Sequence, residues 1–387
     1  MKGGGNTEGL PKITSAFLNL TNSCNLACRY CFVEQKPEFM SLQTAKDAAD
    51  FLAGNGQASI NFFGGEPLLM WDEIIVPLTL YVREKYGDGF QLSMTSNGTL
   101  LDRERAEFMR GNGIGLLFSM DGGRATQERN RPMRSGPSSF DVLEEKIPII
   151  LEYFPGVMFR STVTEDTAQS LYHDILYAEE KGFKEFFTMP NCFEPWTDTS
   201  TLWEQLRRYS EHYIDFMRRG KTPIFFSQLE KYFRKILLRN AAIKRDQRRV
   251  SASCAACGKC GLGSGKYAGI NINGDIVACQ ELFSRCDDRF LIGNIYTGVR
   301  DELRAGLAAD YNSAPAVGDD CAGCPLDRVC DGGCVANNYL LSGDIHKVPA
   351  IYCEWSRMLF GEAVYIMETL GGEENERFKA RWDGYVR

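Results

Sequence analysis

Residues 16–31 read AFLNLTNSCNLACRYC, an apolar run that leads directly into three closely spaced cysteines. The apolar run predicts a short β-strand. The cysteines Cys24, Cys28 and Cys31 follow with the spacing C-x3-C-x2-C, on what we expect to be a loop. The sequence therefore places three possible metal ligands directly after its first strand.

The rest of the N-terminal half alternates short apolar runs with amphipathic, helix-like stretches, among them a helix that Ser41 opens and another around residues 72–86. The predicted strands are AFLNLTN, SINFF, FQLSMTSN, GLLFSMD, GVMFRSTVT and EFFTMP. Six strands separated by helices indicate an α/β fold with parallel pairing through right-handed crossovers. Such sheets carry their functional residues in the loops after the carboxyl ends of the strands, where the cysteine loop and the stretch FFGGEP are both expected.

Composition limits the possible partners. The chain has 387 residues, 44% of them apolar and 25% charged, which is typical of a globular protein with a substantial core. Its net charge of −7 gives no basic surface for nucleic acid, and its apolar runs are too short to span a membrane. The polar, glycine-rich first residues have no signal-peptide pattern. We therefore expect a cytoplasmic protein without nucleic-acid or membrane partners.

The 14 cysteines are unevenly distributed: three lie at 24–31, one at 192 and ten between 254 and 353. Cysteines of a cytoplasmic protein stay reduced and are often metal ligands or catalytic groups. Residues after 251 show little regular periodicity, so we expect this segment to fold around bound metal rather than around apolar packing.

The three-cysteine loop is one ligand short of a structural zinc site, which prefers four protein ligands. No histidine neighbours the loop, because the three histidines are at 173, 212 and 346. A cubane iron–sulfur cluster on three thiolates leaves one iron open to a small molecule with an amine and a carboxylate. Zinc stays the alternative at this point.

The loop, with Tyr30 and Phe32 around its last cysteine, resembles the signature of the radical S-adenosylmethionine (SAM) enzymes. The stretches GGEP, TSNG and FSMDG resemble the family's strand-end motifs, and QERNRP carries an arginine like the one that counters the SAM carboxylate in many relatives. The resemblance assigns these residues to SAM: Gly64, Gly65, Glu66, Pro67, Ser96, Asn97, Ser119, Asp121 and Arg131. It implies a partial (β/α)6 TIM-like barrel in which a [4Fe–4S] cluster cleaves SAM to a 5′-deoxyadenosyl radical.

The stretch CAGCPLDRVCDGGC, residues 321–334, resembles the core of the SPASM extension found on peptide-modifying relatives. That resemblance implies two auxiliary [4Fe–4S] clusters, for a total of three. The first would be held by Cys254, Cys260, Cys279 and Cys334, and the second by Cys321, Cys324, Cys330 and Cys353. Zinc is the alternative for these sites. Cys257 and Cys286 are left over, and NINGDIVACQE predicts a hairpin that delivers Cys279.

We therefore predict four segments. Residues 14–235 form the barrel, 236–253 a linker, 254–360 a small cysteine-rich iron–sulfur domain and 361–387 a helical tail.

The favoured function is maturation of a ribosomally made precursor peptide by an oxidative crosslink, with a thioether preferred over a carbon–carbon bond. A flavodoxin or ferredoxin would supply electrons, and Glu281 and Cys192 are the candidate catalytic residues. Sulfatase-maturing relatives place an Asp base directly after the cysteine that matches Cys279, whereas this chain has Gln280, and an amide cannot take a proton. The alternatives are sulfatase-maturation-type oxidation of a protein side chain and a non-enzymatic electron-transfer protein.

Overall fold

A computed structural model describes residues 10–244, 265–285, 287–313 and 332–386, together with residues 262, 321, 323–326, 329 and 330. The chain divides into two compact units, and each is described by itself. The first comprises Met1–Ser119, Arg131–Pro155 and Lys259–Pro315; the second comprises Met120–Asn130, Gly156–Gly258 and Ala316–Arg387. Both units combine separate stretches of chain, whereas the predicted domains are consecutive.

Strands and helices alternate up to the sixth strand. The strands are β1 (Ser15–Thr21), β2 (Ser59–Gly64), β3 (Gln91–Ser96), β4 (Ile114–Ser119), β5 (Met158–Val163), β6 (Glu185–Pro190), β7 (Phe225–Phe226), β8 (Tyr267–Ile270), β9 (Asp275–Val277), β10 (Leu291–Asn294) and β11 (Gly298–Val299). The helices are α1 (Leu42–Ala53), α2 (Val76–Tyr86), α3 (Arg103–Gly111), α4 (Arg124–Asn130), α5 (Ser139–Tyr153), α6 (Leu171–Lys181), α7 (Ser200–Arg218), α8 (Ser227–Lys244), α9 (Asp301–Ser313), α10 (Val335–Ser342), α11 (Ala350–Gly372) and α12 (Glu376–Val386).

The sheet of the first unit has the strand order β11-β10-β9-β8-β1-β2-β3-β4. Strands β1 to β4 are parallel, and β8 also runs parallel to β1 along its other edge. From β8 to β11, each strand is antiparallel to the next one. Because the carboxyl ends of β1, β2 and β3 meet at one edge of the sheet, the loops that follow them lie side by side.

Local sequence explains where the helices begin. The Ser41 hydroxyl accepts a hydrogen bond from the Thr44 N–H and caps α1, as the sequence predicts. The helix expected around 72–86 instead starts as a π-type turn over Trp71–Ile75 before α2. Pro77 explains this change, because it lacks the N–H that an α-helical bond would need.

In the second unit, β5, β6 and β7 are parallel. Helix α11 packs against α7 and α8. The Phe226 ring of β7 lies 6.3 Å from that of Trp355 and 5.6 Å from that of Tyr209, centroid to centroid. All three side chains are buried, so this unit has an aromatic core.

The described residues after 251 contain more regular structure and more apolar packing than their weak periodicity indicates, while their dependence on metal stays a prediction. The described part of that region contains four strands and four helices. Its apolar side chains are buried in ordinary cores, such as Ile270, Ile276 and Phe290 in the first unit and Met358 and Leu359 in the second. The late strands of the first unit, β8 to β11, have only two to four residues each, which is too short for a periodic pattern to stand out. In the part of the chain that the structure describes, no helix is long and apolar enough to cross a membrane.

Candidate active site

The cysteine loop follows β1 and is held by a second segment of the first unit. The Ala27 N–H donates to the Pro132 carbonyl at 2.8 Å, and the Arg134 N–H donates to the Asn25 carbonyl at 2.9 Å. The three loop cysteines are half-buried and form no disulfide. The loop is therefore fixed at its backbone, with its thiols available as ligands.

The thiols of the loop lie close enough to affect one another. Burial first, and then the charge of Glu66, raise the pKa of Cys24 to about 12, with smaller contributions from Cys28 and Cys31. Among the described residues, no three metal-binding side chains surround the position of a single ion. In a cubane each thiolate binds a different iron, so cluster ligands are spaced more widely than the ligands of one ion. Three thiols on one short loop therefore fit an iron–sulfur cluster.

The two glycines of GGEP allow the loop after β2 to touch the cysteine loop. A Cβ on Gly64, whose φ is +135°, would lie 2.3 Å from the Thr21 carbonyl oxygen, and a Cβ on Gly65 would lie 2.1 Å from the Ser23 carbonyl oxygen. The Gly65 and Glu66 N–H groups donate to these same carbonyls at 2.7 and 2.9 Å. Only glycine fits this approach of two backbones.

The Glu66 carboxylate is fully buried and connects the GGEP loop to the end of β3. It accepts hydrogen bonds from the Leu68 N–H, the Ser96 hydroxyl and the Asn97 N–H at 2.8 to 3.0 Å. Burial raises its pKa to about 7. Pro67 begins the 3-10 turn Pro67–Met70 and is buried. The structure thus gives Glu66 a clear structural role, while its predicted contact with SAM stays a prediction.

The Asn97 side chain faces the cysteine loop. Its Nδ2 donates to Asn25 Oδ1 at 2.9 Å and lies 3.8 Å from Cys24 Sγ. Thr99 completes this group, because its hydroxyl bonds to both asparagines. Asn25 and Thr99 were missed from the sequence, since nothing in their spacing shows that two loops 72 residues apart meet.

The remaining predicted SAM residues fall in both units. In the first unit, the Arg131 guanidinium lies 5.3 Å from the centre of the Tyr30 ring on the cysteine loop, and Ser119 ends β4 half-buried. In the second unit, Asp121 is buried and its carboxylate accepts a hydrogen bond from the Thr162 N–H of β5 at 3.0 Å. The Arg131 side chain thus lies against the cysteine loop, while the Asp121 carboxylate is hydrogen-bonded to the backbone of β5.

Four of the late cysteines come together in the second unit. Burial raises the pKa of Cys353 to about 11, and the thiols that add to this shift are Cys330, Cys321 and Cys324. The Arg357 side chain hydrogen-bonds to Cys324. These are the four residues predicted to hold the second auxiliary cluster, and a four-thiol donor set fits such a cluster.

The structure describes only two of the four cysteines of the first predicted auxiliary site, Cys279 and Cys334. Cys254 and Cys260, and the leftover Cys257 and Cys286, lie outside the described residues. Cys334 is the residue directly before α10 in the second unit, and its side chain makes no capping hydrogen bond.

In the first unit, the predicted hairpin forms from β8 and β9, and Cys279 follows it. The Cys279 thiol donates to Gln280 Oε1 at 3.4 Å, and Gln280 Nε2 donates to Glu281 Oε1 at 3.4 Å. Gln280 therefore stands between Cys279 and the candidate base Glu281.

Cys192 is buried and forms a pair with a residue that the sequence did not single out. The Tyr352 hydroxyl is hydrogen-bonded to the Cys192 thiol and accepts a hydrogen bond from Asn337 Nδ2 at 2.9 Å. Burial, with the nearby thiols of Cys192 and Cys334, raises the pKa of Tyr352. Cys192 is thus a buried thiol with a phenol partner.

Comparison with known proteins identifies the class. The model of the Radical SAM superfamily matches residues 18–175. A cysteine-type anaerobic sulfatase-maturating enzyme of Clostridium perfringens is 23% identical over 356 residues, covering 84% of this chain and 89% of that protein. Native anSMEcpe with bound AdoMet has a TM-score of 0.72 at 19% identity, covering 92% of this chain and 99% of that one. SuiB of Streptococcus suis, bound to its precursor peptide SuiA, has a TM-score of 0.60 at 16% identity, covering 89% and 76%.

The chain therefore contains a radical SAM domain over residues 18–175, and it is an enzyme. The shared fold confirms the predicted class, an α/β partial barrel with parallel strands. Because the relatives of this chain are enzymes, the alternative of a non-enzymatic electron-transfer protein is wrong. The family implies a SAM-binding [4Fe–4S] cluster, and the number of auxiliary clusters stays a prediction.

Proposed function

We propose that this enzyme matures a ribosomally made precursor peptide by forming an oxidative crosslink within it. The observation that carries the proposal is a second group of thiols, besides the three of the cysteine loop. It consists of Cys321, Cys324, Cys330 and Cys353. A crosslink removes two hydrogen atoms from the peptide, so an electron must leave the product radical. A second cluster would give that electron an acceptor.

The residues of the first unit have distinct parts in this proposal. A cluster on the cysteine loop would supply the electron that splits SAM and yields the 5′-deoxyadenosyl radical. Arg131, oriented against Tyr30, would balance the carboxylate of SAM. Glu66 would hold the GGEP backbone against the cysteine loop through its bonds to Ser96 and Asn97. A flavodoxin or ferredoxin would deliver the electron to the protein.

The bond that we favour is a thioether. Eight predicted ligands would fully coordinate both auxiliary clusters, so a peptide thiol would attack the substrate radical without binding iron. The thiol proton then passes to a base and one electron passes to an auxiliary cluster, which balances the reaction. Glu281 is the proposed base, because the neighbouring Gln280 side chain is an amide.

The test is anaerobic reconstitution followed by reaction with SAM, dithionite and a synthetic peptide rich in regularly spaced cysteines. We expect 5′-deoxyadenosine and a peptide lighter by two hydrogen atoms, with a thioether located by fragmentation. Glu281→Gln should lower crosslinking and leave 5′-deoxyadenosine formation intact, while Glu302→Gln, an exposed carboxylate of α9, should change neither. Formation of 5′-deoxyadenosine without any crosslink in such peptides would contradict the proposal.

A second candidate is oxidation of one side chain of a protein, as in sulfatase maturation. It is favoured by the similarity to the Clostridium perfringens enzyme over 84% of this chain. Gln280 argues against it, because the residue directly after Cys279 cannot accept a proton. A sulfatase-derived peptide in the same assay separates the two, since oxidation of one side chain would form no bond between two residues.

A further inference from the structure

A closed ring of side-chain hydrogen bonds joins the cysteine loop to the residues after β3. Asn97 Nδ2 donates to Asn25 Oδ1 at 2.9 Å, Asn25 Nδ2 donates to Thr99 Oγ1 at 2.7 Å, and Thr99 Oγ1 donates to Asn97 Oδ1 at 2.6 Å. Asn97 and Thr99 are only 6% and 5% exposed. Such a ring has one direction of donation, and that direction decides which atom faces Cys24.

The direction is set by one backbone group. The Thr99 N–H lies 3.0 Å from the Asn97 side chain, and a backbone N–H can only donate. The Asn97 atom that faces it must therefore be the oxygen, and its nitrogen must face Asn25 and Cys24. This removes the usual ambiguity between the two ends of an amide. With the Asn97 amide fixed, Asn25 Oδ1 must accept from Asn97 Nδ2, and Asn25 Nδ2 must donate to the Thr99 hydroxyl. The Thr99 hydroxyl then donates to Asn97 Oδ1, so that each contact has one donor.

The result is an N–H aimed at the sulfur of Cys24. Asn97 Nδ2 lies 3.8 Å from Cys24 Sγ, and the Leu26 N–H donates to the same sulfur at 3.4 Å. The thiol directs its own hydrogen at Asn25 Oδ1, 4.0 Å away. A thiolate ligand has lost that hydrogen, so the two N–H donors are what remains. Hydrogen bonds to the sulfurs of an iron–sulfur cluster are one of the factors that set its reduction potential.

The Asn97 side chain has no hydrogen-bonding capacity left for SAM. Its two N–H hydrogens face Asn25 and Cys24, and its oxygen accepts from the Thr99 N–H and hydroxyl. Its backbone N–H is held by Glu66. An asparagine side chain offers two donors and two acceptor sites, and all four are used here.

We propose that Asn97 is a positioning residue that donates a hydrogen bond to the Cys24 sulfur and thereby raises the reduction potential of the loop cluster. Thr99 and Asn25 orient the Asn97 amide. This inference rests on the proposed function, since it requires a cluster on the loop. It replaces the expectation that the Asn97 side chain binds SAM.

The test is the midpoint potential of the cluster whose EPR signal changes on adding SAM, measured in the full-length reconstituted protein. In Asn97→Leu, an uncharged variant of similar size, we expect a more negative potential. At a fixed solution potential the ratio of reduced to oxidised cluster should fall about tenfold, which is about 59 mV for one electron. Thr99→Val should shift the potential in the same direction by less, because it frees the amide without removing it.

The matched control is Asn55→Leu, which removes an amide that donates to the Ile13 carbonyl at 2.9 Å and should leave the potential unchanged. Wild-type potentials in Asn97→Leu and Thr99→Val, with weaker SAM binding in the former, would overturn the inference and make Asn97 a SAM contact. If Asn97→Leu cannot hold a cluster, the potential of Thr99→Val decides alone. A wild-type protein without a SAM-responsive cluster would instead overturn the proposed function, and this inference with it.

Discussion

The two described cysteine groups are built in different ways. Cys24, Cys28 and Cys31 lie within eight residues, on a loop bonded to the GGEP backbone, to the end of β3 and to Pro132 and Arg134. Cys321, Cys324 and Cys330 lie in turns before α10, and their partner Cys353 lies in α11. The first group of cysteines is positioned by backbone contacts at the edge of a sheet. The second group combines three cysteines before α10 with one cysteine of the helix α11.

This difference indicates how much each group depends on metal. A site fixed by neighbouring backbone can exist before its metal binds, whereas metal that joins separate segments contributes to folding itself. We therefore infer that the cysteine loop is preorganised and that residues 332–353 gain order from the cluster that Cys353 would help to hold. The predictions below test this contrast.

The largest expected effect is the loss of SAM cleavage in Cys31→Ala. Removing one of three cluster ligands should lower 5′-deoxyadenosine formation by more than about 100-fold, the upper end of what loss of a ligand's supporting partner costs. The matched variant Cys324→Ala should still form 5′-deoxyadenosine but stop product formation. Equal loss of cleavage in both, measured by chromatography of the reaction mixture, would show that the two groups do not act separately.

Iron removal should affect the two regions unequally. Under chelation, backbone amides of residues 332–353 should exchange with deuterium at least about tenfold faster, since local opening costs less once the cluster is gone. Amides of β1, β2 and β3 should change by less than about twofold, because the sheet does not need metal. Mass spectrometry of peptic fragments measures both, and faster exchange in β1 would contradict the preorganised loop.

Gly65→Ala tests the contact between GGEP and the cysteine loop. The new Cβ would lie 2.1 Å from the Ser23 carbonyl oxygen, so one of the two backbones must move. We expect SAM affinity to fall at least about tenfold, because a shift of about 1 Å in a positioned site costs that much or more. Gly89→Ala is the control, since a Cβ there meets nothing within 4 Å. Calorimetry with SAM should show normal binding for Gly89→Ala only.

The buried Glu66 predicts a pH dependence in the first unit. Burial raises its pKa from 4.5 to about 7, so between these values the folded protein holds a proton that the unfolded chain has lost. The stability contributed by this proton is complete below pH 4.5 and is lost as the pH rises through 7. The loss is about 3 kcal/mol, at about 1.4 kcal/mol per pKa unit. Urea denaturation of iron-free protein at about pH 5 and about pH 8 should show a smaller difference in Glu66→Gln than in the wild type.

The sequence predicted those parts of the site whose information is local. The strand before Cys24, the Ser41 cap of α1 and the hairpin before Cys279 each depend on a few adjacent residues, and the structure has all three. The pairing of β8 with β1 could not be predicted, because a strand of four residues does not specify its neighbour. For the same reason, the sequence could not indicate the roles of Asn25, Thr99 and Tyr352. Each of them has a hydrogen-bond partner that is distant in sequence.

The smallest expected effect concerns the Cys192–Tyr352 pair of the second unit. Tyr352→Phe removes the hydroxyl that meets the Cys192 thiol and accepts from Asn337 Nδ2. Asn337 is buried and its Oδ1 already lacks a partner in the described structure, so the variant would leave its amide without this bond as well. We expect the second unit to lose about 1 to 3 kcal/mol of stability, the cost of a buried polar group left unsatisfied. Tyr172→Phe of α6 is the control, because its ring packs against Arg208 and no hydrogen bond to its hydroxyl is present among the described residues. An equal loss of thermal stability in both variants would mean that the pair is no more than ordinary packing.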